Sequence, residues 1–354
     1  MPNIAALIGG NRYTVDEINR SDSQPIASHI EDAYNWLTST MNKNNFETVL
    51  VNPKWTPCSK IENTKNCAQS DQVRENLYEI YDFNPRQEVN NDVYTLAVFT
   101  IFKITPVSLK PLWYDSTFFK NTLKGNAQLI LTVNSRYSEY LYIKHLSEIS
   151  QIAEDTTHNK FIHIWTNTLI SPFSLDSQCG PLEPQQYDMY SMDSRLNSTR
   201  CVLNALTDWF EWMKKNDVFD NTKIIMVADH GAHNYDQNWV RGAVNPIFLV
   251  KEFDQKGSIQ TQRTLVQNSD VASIICSSIG GCRDISQNPI LNPDKNKVAR
   301  YHYTTHGNRE FIKANKKFDI RKSFEITGDV WQDPRFGLET ILQNEISNTP
   351  AQAQ

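Results

Sequence analysis

Asp229, His230 and Gly231 stand in succession where an unbroken apolar run ends. A carboxylate beside an imidazole is a donor pair suited to a divalent metal ion. Adjacent side chains on a strand point to opposite faces, so both reach one ion only if the chain turns at once, and Gly231 permits that turn. Taken alone, the tripeptide is weak evidence, and its plainer reading is a helix-capping Asp beside a surface His. Three further histidines qualify as partners: His163 at the end of a second apolar run, His233 three residues past His230, and His306 within Tyr303-Thr304-Thr305-His306-Gly307-Asn308. Each by itself is an ordinary core or surface histidine. Arg241, in a polar loop, offers a fork of donors for the oxygen pair of a phosphate or sulfate, or else is a solvated loop arginine. No Gly-x-Ser-x-Gly, phosphate-loop or dinucleotide fingerprint accompanies these residues, so pattern alone singles out no hydroxyl nucleophile.

What must position them is a sheet edge, because ligands of open α/β sheets bind at the carboxyl ends of the strands. The run at 224–228, bounded by Lys223 and Asp229, has the pattern of a strand covered on both faces in a parallel sheet. A second such run, 247–250, follows Pro246, and 46–51, 129–133 and 161–165 supply further strand candidates. Between them lie helical periods. Ile26, Ile30, Ala33, Leu37 and Met41 mark a helix over 25–42; a helical period runs through 137–154; Leu196, Leu203, Leu206, Phe210 and Met213 share one face of a long helix over 187–215. The residues 1–10 have the look of a helix segment and lack the basic start of a signal peptide. Strands alternating with helices predict a doubly wound, mostly parallel α/β sheet in a single domain over 1–347, with 348–354 a frayed tail.

Composition narrows the class. The 354 residues are 39% hydrophobic and 11% aromatic with only 12 Gly and 15 Pro, which excludes disordered and collagen-like chains. A net charge of −5, with 35 scattered basic residues, excludes the footprint of a nucleic-acid binder. The longest apolar stretch, near 96–102, is far short of the ~20 residues that span a bilayer. Six cysteines fall into sequence-near couples, Cys58 with Cys67, Cys179 with Cys201 and Cys276 with Cys282. None has the two-residue spacing of a zinc site, so they are three local disulfides or six separate buried thiols. Disulfides would imply an oxidising compartment, hence an export signal or anchor outside these residues.

The order Thr222-Lys223-Ile224-Ile225-Met226-Val227-Ala228-Asp229-His230-Gly231, a variable loop, then Asn245-Pro246-Ile247-Phe248-Leu249-Val250-Lys251, resembles the sulfatase-like branch of the alkaline phosphatase superfamily. Ser269-Asp270-Val271-Ala272-Ser273-Ile274 resembles the helix that follows the Asn-Pro strand there, and Thr304-Thr305-His306-Gly307 agrees as well. The segment 102–111 is similar to that of membrane-anchored bacterial members, among them sulfatases, phosphoethanolamine transferases and lipoteichoic acid synthase-like enzymes.

The resemblance implies a three-layer α/β/α, alkaline phosphatase-like fold that holds a divalent metal, Mn, Zn or Mg, or Ca in a true sulfatase. Asp229 and His230 would be metal ligands, His306 a second metal or substrate ligand, and His163 a residue facing substrate, with Arg241 and His233 in the variable loop. It also implies transfer or hydrolysis of a phosphate or sulfate ester of a cell-envelope lipid or polysaccharide, at the periplasmic or extracytoplasmic face of a bacterial inner membrane, with membrane association through a segment not among these residues. Departures accompany the matches. The family's nucleophile and first-strand metal carboxylate would lie upstream of Met1, so the alternative expectation is an inactive chain, at most a ligand-binding remnant. Cys179-Gly180-Pro181-Leu182-Glu183 misses Cys-x-Pro-x-Arg at its last position, which leaves Cys179 as the partner of Cys201. The stretch 166–172 carries Ile170 near the place where many members have a second His.

Overall fold

The computed structural model describes residues 3–21, 23–69, 100, 103–110, 136–153, 157–182, 191–231, 246–262, 264–282, 300–306, 309–327 and 335–336. Three helices open the chain: α1 (Asn3–Gly9), α2 (Val15–Ser21) and α3 (Ile26–Lys43). In α3 the buried positions Ile26, Ile30, Ala33, Tyr34, Leu37 and Met41 recur at three and four residues, so one stripe faces inward. The stripe meets Ile4, Leu7 and Ile8 of α1 and Ile18 of α2 in the main core. Fully burying aliphatic side chains of this kind contributes roughly 1.5–3 kcal/mol each.

β1 (Phe46–Val51) follows directly and pairs in parallel with β2 (Asn66–Ala68) on one side and β3 (Asn159–Ile164) on the other. The order is β2-β1-β3. Strand alternation divides this sheet between two hydrophobic clusters. Leu50 joins the core made by α1, α2 and α3, while Val51 packs with Leu141 and Tyr142 of α4, the helix at 136–144. After a break at His145 comes α5 (Leu146–Ile149), where the period through 137–154 predicts one longer helix. Both helices pack on α6 (Met192–Lys215) through Tyr140, Ile143, Leu146, Cys201, Val202 and Ala205.

The start of α6 is set by Ser191, whose hydroxyl accepts the Ser194 N–H at 3.2 Å, with Asp193 in the first turn and Lys214 and Lys215 in the last. That charge order complements the helix dipole. Asn216 ends it, as the sequence predicts.

β4 (Ile224–Val227) pairs with β5 (Phe248–Lys251), and the pairing is antiparallel. This differs from the expected parallel arrangement of both runs. The cause is a limit of pattern: a short apolar run is equally consistent with either pairing direction, and the connection from 228 to 247 is long enough for either. Ile225, Val227 and Phe248 lie against the main core. α7 (Asp270–Ser278) then buries Val271 in that core, matching the helix expected at 269–274. Beyond it, β6 (Arg300–His306), α8 (Arg309–Ala314), β7 (Asp319–Thr327) and β8 (Arg335–Phe336) follow, with the strands in an antiparallel sheet of order β6-β7-β8. The late segments close on the early ones. Asn19 donates to Phe318 O at 3.2 Å and accepts from Phe318 N at 2.7 Å, and Ile26 N donates to Asn315 O at 2.9 Å.

The molecule is thus a mixed α/β protein with a small parallel sheet of three strands. The strand candidate at 129–133 and the tail at 348–354 lie outside the described residues. All six cysteines are paired, Cys58 with Cys67, Cys179 with Cys201 and Cys276 with Cys282. The disulfides point to an oxidising, extracytoplasmic environment. Among the described residues no helix is long and apolar enough to cross a membrane.

Candidate functional site

β4 delivers the Asp-His pair. The chain leaves the ladder at Ala228, whose N–H still reaches Ile247 O at 3.1 Å, and bends at Asp229 and His230. His230 N donates to the Asp229 carboxylate oxygen Oδ1 at 3.0 Å. The ring of His230 contacts Gly231 O through Nδ1 at 2.8 Å. A carbonyl only accepts, so Nδ1 is the donor in this contact. Nε2 and Asp229 Oδ1 are 3.9 Å apart; two donors on a tetrahedral ion stand about 3.3 Å apart, so closing on one ion takes a side-chain shift of roughly half an ångström. A ligating histidine that passes its other N–H to a backbone carbonyl is the usual outer-sphere support of a metal site. The pair has the donor chemistry that a divalent ion takes. Among the described residues no group of three or more His, Cys, Asp or Glu is assembled for one.

The turn is tied to two other parts of the chain. Asn3, the first residue of α1, donates through Nδ2 to Asp229 O at 2.8 Å, and Asn268, just ahead of α7, donates through Nδ2 to the same oxygen at 2.6 Å. Asn268 also lies 3.2 Å from Ala228 O.

A half-buried cation stands past the end of the central parallel strand. Past the end of β1 the backbone takes positive φ at Asn52 (54°) and again at Trp55 (65°), a conformation uncommon for a bulky side chain. Lys54 sits between them. Its ammonium donates to the Asn167 side-chain oxygen and lies 5.8 Å from the centre of the Trp165 ring. Burial pushes the Lys54 pKa below its ordinary value; Glu139 and Asp229 pull it back up, and Arg136 adds to the push. Asp229 thus acts on Lys54 electrostatically although the two belong to different sheets.

Glu139 organises this corner. Its carboxylate accepts from Asn52 Nδ2 at 3.3 Å, Thr166 Oγ1 at 3.3 Å and Asn167 Nδ2 at 3.0 Å, and from the Asn167 main-chain N–H. Arg136 donates to the carbonyls of Ile170 and Pro172, and burial lowers its pKa to about 10 against the opposing charge of Glu139. The loop after β3 is thereby fastened to α4, with Lys54 held at its edge.

The other histidines expected at the site lie on two further strands. His163 lies on β3 with its ring 5.8 Å from that of Tyr34, edge to face. Burial lowers its pKa to about 4, so it is neutral at physiological pH, and among the described residues its Nδ1 has no hydrogen-bond partner. His306 ends β6, where its backbone pairs with Asp319. Arg241 and His233 lie outside the described residues. Asp229 and His230 are adjacent at the end of β4, and the Asp229 carboxylate raises the Lys54 pKa through space. Lys54 and Glu139 are not among the residues the sequence motifs point to. The signal for Lys54 was positional: Asn52-Pro53-Lys54-Trp55 follows a strand whose carboxyl end opens the sheet edge.

Comparison of the chain with protein-family models, with curated proteins and with solved structures finds no match.

Proposed function

We propose that this chain carries the site of a metal-dependent hydrolase or transferase acting on phosphate or sulfate esters, within an alkaline phosphatase-like, doubly wound three-layer arrangement. The observation that supports the reading is the adjacent carboxylate and imidazole of Asp229 and His230 at the end of β4, with the Asp229 charge acting through space on the Lys54 ammonium past the end of β1. A tetrahedral oxyanion is what such a set suits: ligands for a divalent ion on one side and a partly desolvated cation on the other. When bound, the ion would polarise the non-bridging oxygens of the ester and neutralise charge that builds up on them. Lys54, held by Asn167 and Glu139's network, supplies a second positive charge in place before reaction, so little reorganisation is needed. The disulfides agree with action outside the cytoplasm, and a lipid- or polysaccharide-linked ester of the cell envelope is the substrate class we put forward.

The test is an assay of the full chain with p-nitrophenyl phosphate and p-nitrophenyl sulfate, with Mn, Zn, Mg or Ca supplied singly. Turnover of one ester, abolished by EDTA and by Asp229→Ala, is expected, and it would place the nucleophile among these residues. Lys54→Met should lower kcat/KM by about 100-fold, the scale of losing one charge-stabilising donor. Turnover of neither ester under any metal would overturn the proposal.

A further inference from the structure

The peptide unit that joins Asp229 to His230 is pinned at both of its polar ends. Its carbonyl, Asp229 O, accepts from Asn3 Nδ2 at 2.8 Å and from Asn268 Nδ2 at 2.6 Å, and its N–H, on His230, donates to Asp229 Oδ1 at 3.0 Å. A carbonyl oxygen has two lone pairs, and two amide donors here engage it together. The consequence is geometric. In an extended chain consecutive side chains diverge to opposite faces, so whether Asp229 and His230 can approach one point depends on the rotation of the peptide plane between them. The two dihedrals flanking that plane are what the asparagines fix, because turning the plane would break both bonds. Neither donor is local: Asn3 is 226 residues away and Asn268 is 39 residues away. The pair's geometry is thus set by where α1 and the entry to α7 pack, not by the Asp-His-Gly sequence itself.

We infer that Asn3 and Asn268 are positioning residues of the Asp229–His230 metal site, acting through the Asp229 carbonyl and not by touching metal or substrate. The inference rests on the metal-site reading above. It assigns a role to two amides that would otherwise pass as loop and helix-end polar groups.

Cobalt(II) is a suitable probe, since its visible absorption reports the ligand geometry independently of turnover. Metal-free full chain is titrated with cobalt chloride for the native sequence and for Asp229→Ala, Asn3→Ala and Asn268→Ala, with circular dichroism melting of each metal-free protein alongside. The native chain should take up one ion with a visible band that Asp229→Ala abolishes. Each asparagine variant should bind cobalt about 10–100-fold more weakly, with an altered band, as is typical when an outer-sphere support is removed. Asn3→Ala should melt close to the native chain without metal, which a purely structural role for the weakened binding would not allow. Should Asn268→Ala not fold, Asn3→Ala decides the matter alone. Native affinity and an unchanged band in the folded asparagine variants would overturn the positioning role while leaving the metal site intact. Absence of uptake by the native chain, or uptake that survives Asp229→Ala, would overturn the metal-site reading and the positioning role with it.

Discussion

The hydroxyl of Tyr34, on α3, accepts the main-chain N–H of Lys54 at 2.9 Å. Tyr34 is fully buried, and burial raises the pKa of its hydroxyl, so it stays protonated and serves as a fixed acceptor. The contact sets the height at which the chain leaves β1 and hence where the Lys54 ammonium stands. Tyr34→Phe keeps the ring and its packing but strands the amide. A loss of about 1–2 kcal/mol in urea unfolding is expected. Native stability in that variant would show that water replaces the hydroxyl without cost.

His163 makes stability depend on pH in a defined window. Its folded pKa is about 4, below the ordinary value near 6.5, so it is depressed by folding. Above pH 6.5 both folded and unfolded forms are neutral and there is no penalty. As pH falls from 6.5 toward 4 the unfolded chain binds a proton that the folded chain does not, and stability declines by on the order of 3 kcal/mol. Urea unfolding of His163→Phe at pH 7 and pH 5 should show a smaller decline than the native chain. An equal decline in both would assign the acid sensitivity to other groups.

Lys251 closes the approach to β4. Its ammonium reaches the carbonyls of Phe219 at 2.7 Å, Thr222 at 2.9 Å, Glu252 at 3.1 Å and Asp220 at 3.4 Å, and stands 4.5 Å from the centre of the Phe219 ring. Lys251→Met preserves the aliphatic stem and removes these bonds. A loss of about 2 kcal/mol is expected from charged hydrogen bonds to main-chain acceptors, read as a lower unfolding midpoint. A change below about 0.5 kcal/mol, the range of ordinary surface substitutions, would contradict this role.

The Cys179–Cys201 disulfide ties the loop after β3 to the middle of α6, at a position where Cys201 is fully buried among Tyr140, Leu175 and Ala205. With the cysteines 22 positions apart in sequence, replacing both by Ala should cost about 3 kcal/mol. Intact mass before and after alkylation under non-reducing conditions checks the pairing itself: no thiol should react without a reductant.

Much of this was legible in the residues. The α3 stripe from Ile26 to Met41 specified its helix to within one residue at either end, because a two-faced period leaves one solution. The strand at 46–51 and the end of the long helix at Asn216 were equally plain. The direction of pairing between Ile224–Val227 and Phe248–Lys251 was not, since side-chain pattern carries no information on which way a neighbour runs. For the candidate site, Asp229 and His230 were visible as adjacent donors. Lys54 was not, because its role comes from Tyr34, Glu139 and Asn167, which lie 20 to 113 residues away and converge only in the fold. The clamp on Asp229 is the same kind of relationship: an amide at position 3 and another at 268 have no sequence signature in common.

The pairing of Asp229 with His230 on a single ion is tested most directly by the metal content of the native full chain, purified without chelator and measured by elemental analysis beside Asp229→Ala and His230→Ala. One tightly held divalent ion per chain is expected, lost or loosened by about 10-fold or more in both variants. Metal-free native protein that takes up no added Mn or Zn, or an ion retained in full by both variants, would contradict it.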